Sequence, residues 1–110
     1  MSISSGGATL EDGGSTWIVW GEVDVAVAQD VGDTLKASLD GRPKTIDLRR
    51  VTFLDSSGLR LLLLGGTAEE GPLLVGAPAA VRDVITLTGL EHTVRFAEPD
   101  STPTSGDDDS

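Results

Sequence analysis

The sequence contains no cysteine and a single histidine, His92. A chain without cysteine cannot form disulfides, thiolate metal sites or a thiol nucleophile. One histidine also leaves little from which to build a metal centre, because such centres draw on several histidine, cysteine or carboxylate ligands. We therefore expect neither a metal nor a cofactor.

Basic residues and long apolar runs are also scarce. Eight basic residues stand against eighteen acidic ones, which gives a net charge of −10, whereas a nucleic-acid-binding protein needs a basic face. No apolar run approaches the roughly 18 residues of a membrane span. The N-terminal MSISSGGATL lacks the basic region and apolar core of a secretory signal. We expect a cytoplasmic protein that binds neither nucleic acid nor membrane.

Motifs typical of several enzyme classes are missing. The sequence has no G-x-x-x-x-G-K-[ST] phosphate loop, no G-x-G-x-x-G fingerprint and no H-E-x-x-H metal helix. A hydrolase triad of Asp55, Ser57 and His92 can be drawn, but the G-x-S-x-G elbow that would present its serine is absent. His92 also lies in a polar turn before a predicted edge strand, so we disfavour a hydrolase.

The length and composition indicate one globular domain with polar ends. A chain of 110 residues with 38% hydrophobic content is long enough for one core and short of two. Residues 98–110 carry five of the eighteen acidic residues and no basic one, which is half of the net charge. We predict a flexible N-terminus over residues 1–7, a domain over 8–97, and an acidic, disordered tail over 98–110.

Strand and helix patterns alternate along the predicted domain. Two strands over 8–12 and 15–20 flank Gly13-Gly14, which is typical of a hairpin, and we expect one of the two tryptophans to lie at the surface. Three helical patterns follow, at Val27, Val31, Leu35 and Leu39; at Leu59, Leu62 and Leu63; and at Val81, Val84, Ile85 and Thr88. Strand patterns alternate with them, at Ile46, Leu48, Val51 and Phe53; at Leu73–Val75; and over 93–97. The fold class is therefore α/β, with a four- to five-stranded mixed sheet, parallel at its centre, and about three main helices.

The strand-to-helix junction Asp55-Ser56-Ser57-Gly58 carries the clearest local signal. Aspartate and serine oxygens accept hydrogen bonds from the unpaired N–H groups of a starting helix. The same N–H groups and the positive end of the helix dipole would also stabilise a phosphate on serine. From spacing alone, a cap and a solvated first turn is the simpler interpretation.

The run IDLRRVTFLDSSGLRLLL, with GEVD upstream and LTGL downstream, resembles the anti-sigma factor antagonist branch of the STAS domain family. The resemblance covers about residues 8–97. It implies a regulatory phosphorylation site at Ser57 and a partner-binding surface formed by Asp24, Asp55, Ser56, Ser57 and Gly58. The implied partners are an anti-sigma factor that is also a serine kinase and, transiently, a serine phosphatase, and the protein itself would not be an enzyme.

The sequence departs from the family at Gly65-Gly66, where the family has a longer second helix. Glycine is poorly tolerated in a helix interior, so we expect this helix to end near Leu64. The shorter helix keeps a second interpretation open, that of a STAS scaffold or of a ligand- or partner-binding sensor that is not phosphorylated. Arg49, Arg50 and Arg60 are candidates to receive a phosphate or a partner carboxylate, or are only surface charges.

Overall fold

The computed structural model describes residues 6–97, which form five strands and three helices around one core. The predicted acidic tail and residues 1–5 lie outside the described residues, and the first strand begins at Gly6, two residues before the predicted start of the domain. The elements are β1 (Gly6–Glu11), β2 (Thr16–Val23), α1 (Val25–Ala37), β3 (Thr45–Leu54), α2 (Ser56–Leu63), β4 (Leu73–Val75), α3 (Ala79–Leu87) and β5 (Arg95–Ala97).

The sheet follows the order of the chain. Strands β1 and β2 form an antiparallel hairpin, and β2 to β5 run parallel to one another in the order β1-β2-β3-β4-β5. The hairpin turn, Asp12–Gly14, has positive φ at all three residues, which the two glycines adopt readily. The α/β class with a mixed sheet and a parallel centre is confirmed.

The three helices cover one face of the sheet. Buried side chains of the strands, such as Trp17, Ile46 and Leu74, belong to one cluster with those of the helices. When parallel strands follow one another in a single direction across a sheet, right-handed crossovers place the connecting helices on the same side of the sheet. Alternate strand residues, such as Ile18 and Trp20, line the opposite and more open face. As predicted, one tryptophan is buried and the other, Trp20, is 39% exposed.

Strand β3 has two register irregularities that the sequence pattern did not reveal. Between Ile18 and Trp20, and again between Gly21 and Glu22, β3 advances one residue more than β2. Each extra residue shifts the alternation of inward and outward side chains. Phe53, which the strand pattern grouped with Ile46, Leu48 and Val51, is therefore 49% exposed, and Leu54 is buried instead. The predicted end of the second strand at Trp20 was wrong, because β2 continues to Val23.

Helix α1 is shorter than its hydrophobic spacing predicted. Val27, Val31 and Leu35 are buried, but the helix ends at Ala37, so Leu39 lies outside it and is exposed. The chain then returns to β3 through Lys44, which is buried. Its Nζ donates a 2.6 Å hydrogen bond to the Ser38 carbonyl oxygen, which ties the end of α1 to the start of β3.

The other two helices end before glycines, as the sequence predicted for α2. Helix α2 ends at Leu63, before Gly65-Gly66. Helix α3 is closed by Gly89 at φ 74°. The Gly89 and Leu90 N–H groups donate to the Thr86 and Ile85 carbonyl oxygens, which is the hydrogen-bond pattern of a glycine-terminated helix. Pro78 is the N-cap of α3. Strands β4 and β5 are short, and only Leu74 of β4 is fully buried.

Candidate functional site

Ser57 lies in the first turn of α2, directly after the carboxyl end of β3. Asp55 is the N-cap, and its Oδ1 accepts a 2.9 Å hydrogen bond from the Gly58 N–H. The first N–H groups of a helix have no partner within the helix, so a negative charge on Ser56 or Ser57 would lie beside them. Ser56 is exposed and Ser57 is partly buried, so the two hydroxyl residues differ in their surroundings.

Asp24 occupies the equivalent position on the neighbouring strand and helix. It is the N-cap of α1, where its Oδ1 accepts from the Val27 N–H at 3.1 Å. The last residues of the two strands, Val23 and Leu54, are register partners, and the Asp55 N–H donates to the Val23 carbonyl oxygen at 3.3 Å. Two capping carboxylates and two serines are therefore brought together at one end of the sheet.

Gly58 is buried beneath this surface rather than exposed on it. A Cβ atom at Gly58 would overlap the Val23 carbonyl oxygen and lie 2.6 Å from Leu54 Cδ1. The close approach that this glycine permits is thus between α2 and the ends of β2 and β3. Its contribution to the surface is to set how deeply the first turn of α2, with Ser57, sits against the sheet.

A groove of about 290 Å³ runs between α1 and α2, with Ser57 on its wall. Two basic side chains and no carboxylate line it, and the lining residues are Val25, Ala28, Gly32, Lys36, Ser57, Arg60, Leu61 and Leu64. Lys36 and the α1 wall were missed from the sequence. The sequence feature that marks this wall is the four-residue spacing of Ala28, Gly32 and Lys36. It is offset by one residue from the spacing of the buried residues Val27, Val31 and Leu35.

The three candidate arginines lie at two separate places on the molecule. Arg49 and Arg50 line a concavity of about 590 Å³ with Trp20 on the open face of the sheet. Arg49 forms an ion pair with Asp47, with its Nη2 2.6 Å from Oδ2, and hydrogen bonds from Arg49 hold the pKa of the Asp47 carboxyl below its ordinary value. Arg60 shares the groove with Ser57. Of the three, Arg60 is therefore the candidate for a group on that serine.

The structure does not bring Asp55, Ser57 and His92 together as a hydrolase triad. His92 precedes β5, whose first residue Arg95 is level with Leu73 of β4 and Thr45 of β3. Ser57 follows Leu54 at the other end of β3, and Leu54 lies nine residues after Thr45. At about 3.3 Å per residue, some 30 Å of strand separates the two ends. Asp55 and His92 cannot act on the same serine in this fold.

Within residues 6–97, no cluster of three or more histidine, aspartate or glutamate side chains is placed to hold a metal ion. In the same part of the chain, no helix is both long and apolar enough to cross a bilayer. The site described above consists of hydroxyl and carboxylate side chains at the starts of α1 and α2 and of basic side chains in the groove between these helices.

Comparison with known proteins shows the family of this chain and the likeness of its fold. A family model described as "Mlab, STAS domain" matches residues 13–96. The solved structure of the anti-sigma factor antagonist SpoIIAA in its unphosphorylated form is similar, with a TM-score of 0.62 and 23% sequence identity over 84% of this chain and 90% of that chain. At this identity the likeness concerns the fold. No curated protein matches the chain in sequence.

Proposed function

The chain belongs to the STAS domain family, as its sequence motifs predicted, and we propose that it acts there as an anti-sigma factor antagonist. In its unphosphorylated form it binds an anti-sigma factor that is also a serine kinase, and so releases a sigma factor for transcription. The kinase phosphorylates Ser57 and the complex dissociates. A serine phosphatase restores the binding form. The protein is a substrate and a binding module in the cytoplasm rather than an enzyme.

The observation that carries this proposal is the placement of Ser57 among groups suited to a partner. It stands at the end of the groove between α1 and α2, at the same end of the sheet as Asp24 and Asp55. Two exposed apolar side chains flank this end, Val25 at 53% and Phe53 at 49% exposure. Apolar side chains beside a few polar groups are typical of a protein-binding surface.

Phosphorylation would change the charge at the centre of that surface. A phosphate adds about −1.5 to −2 charges at neutral pH, close to the capping carboxylates of Asp24 and Asp55. In a closely fitted interface this charge is desolvated and repelled by like charges, which lowers the affinity. A loss of about 1.4 kcal/mol lowers an affinity tenfold, and a loss of a few kcal/mol moves a complex from mostly bound to mostly free.

The test is a pull-down from lysate of the native organism with four baits: wild type, Ser57→Ala, Ser57→Asp and the matched control Ser56→Asp. We expect wild type, Ser57→Ala and Ser56→Asp to retain an ATP-binding anti-sigma factor, identified by mass spectrometry. Ser57→Asp should retain at least about tenfold less. Loss of binding in Ser57→Ala with retention in Ser57→Asp would contradict the proposal.

A second candidate function is a STAS scaffold or sensor that is not switched by phosphorylation. The short α2, which ends at Leu63, favours it. If all four baits retain the same partners and none is an ATP-binding anti-sigma factor, this second function is the better one.

A further inference from the structure

The groove beside Ser57 contains a basic side chain whose position suggests how the phosphate is received. Resting on the proposed phosphorylation of Ser57, we propose that Arg60 binds the Ser57 phosphate within the same chain. The phosphate then competes with any partner carboxylate for this guanidinium. Phosphorylation thus removes a contact from the partner surface in addition to adding repulsion.

The helix geometry places the two side chains within reach. Ser57 and Arg60 are three residues apart on α2, so they are neighbours on one helix face, with about 4.5 Å of axial rise between them. Both line the same groove. Helical side chains lean toward the N-terminus, which carries the guanidinium of Arg60 toward the turn that holds Ser57. An acidic group placed N-terminal to a basic one is also the favourable order on a helix.

Arg60 has no competing carboxylate in the groove. Its lining includes no aspartate or glutamate, in a chain that has eighteen of them. Arg60 takes no part in the ion pairs formed among residues 6–97, such as Arg49 with Asp47 and Lys44 with Asp40. A phosphate on Ser57 would therefore meet an exposed guanidinium that no other anion of the groove occupies.

Other charged groups around Ser57 also act on the phosphate that Arg60 is proposed to bind. The Asp24 and Asp55 carboxylates at the starts of α1 and α2 disfavour the phosphate dianion, and the helix start favours it. Lys36 lies on the α1 wall of the groove but eleven residues after Val25, about 16 Å along the helix. Lys36 is therefore a long-range charge, and Arg60 is the cation that contacts the phosphate.

The experiment measures the second pKa of the phosphate by ³¹P NMR in the isolated chain, with phosphoserine incorporated at position 57 during synthesis. A nearby cation favours the dianion and lowers this pKa. We expect Arg60→Gln to raise it by about 0.4 unit, and Arg60→Lys to restore most of the wild-type value. The shift should shrink in about 0.5 M salt, because the pair is exposed.

Two matched variants distinguish a contact from a general change in charge. Arg42→Gln removes an exposed basic residue outside the groove, and Lys36→Gln removes the cation at the far end of the groove. Both should move the pKa by less than about 0.1 unit, since long-range surface charges are screened. The proposal is overturned if Arg60→Gln shifts the pKa no more than these two variants. No partner takes part, so a negative pull-down leaves this result unaffected and refutes only the switch.

Discussion

Two helical glycines, Gly58 and Gly32, have opposite surroundings and therefore opposite roles. Gly58 lies against the ends of β2 and β3, where a Cβ atom would overlap the Val23 carbonyl oxygen. Gly32 lies in the middle of α1, on the wall of the groove, and a Cβ atom there would have no neighbour within 4 Å. One glycine is required by packing within the fold, whereas the other leaves the groove open.

This difference predicts opposite effects of alanine on stability. Gly58→Ala should lower the free energy of unfolding by about 1–3 kcal/mol, because backbone atoms must move to accept the methyl group. Gly32→Ala should raise it by up to about 1 kcal/mol, because alanine is the better helix former. Urea unfolding followed by circular dichroism measures both. Equal effects of the two substitutions would show that the close approach at Gly58 does not hold in solution.

At the level of elements, the aspartates that begin α1 and α2 are both caps and members of the proposed partner surface. Asp55→Ala should lower the free energy of unfolding by about 1 kcal/mol, because the Gly58 N–H loses its acceptor. Asp55→Asn keeps the acceptor and should retain nearly all of the stability. Asp24→Ala and Asp24→Asn serve as the matched pair at α1, and thermal unfolding measures all four. If Asn costs as much as Ala, the charge rather than the hydrogen bond holds the helix start.

The same elements show what the sequence could and could not predict. The Asp55 cap and the end of α2 before Gly65-Gly66 were predicted correctly, because each depends on residues within a few positions of one another. The exposure of Phe53 was not, because it depends on how β3 aligns with β2, which is a long-range property. The groove was missed for a related reason, since its walls belong to two helices whose contact the sequence does not specify.

For the whole molecule, the parallel order of β2 to β5 has a functional consequence. Each parallel strand that is followed by a helix delivers the start of that helix to the same end of the sheet, so Asp24, Asp55, Ser56 and Ser57 converge without any long loop. The helices cover one face, and the other face carries Trp20 with Arg49 and Arg50. The proposed switch and the open sheet face are therefore separate surfaces.

The two tryptophans report on these two sides of the sheet. Trp17 is buried under the helices, and its Nε1–H donates a 2.9 Å hydrogen bond to Ser38 Oγ. Trp20 is 39% exposed on the open face. Acrylamide should therefore quench most of the fluorescence of Trp17→Phe, which retains Trp20, and little of that of Trp20→Phe.

Stability should follow the opposite order in these variants. Trp17→Phe leaves a cavity and removes the hydrogen bond to Ser38 Oγ, which still donates to the Leu35 carbonyl oxygen, and it should lower the free energy of unfolding by about 2 kcal/mol. Trp20→Phe should change it by less than about 0.5 kcal/mol, as is usual for surface substitutions. Urea unfolding of both variants measures the difference. Equally weak quenching of the two variants would mean that the open face of the sheet is covered in solution. The helices of this domain could not be the cover, because they already occupy the other face.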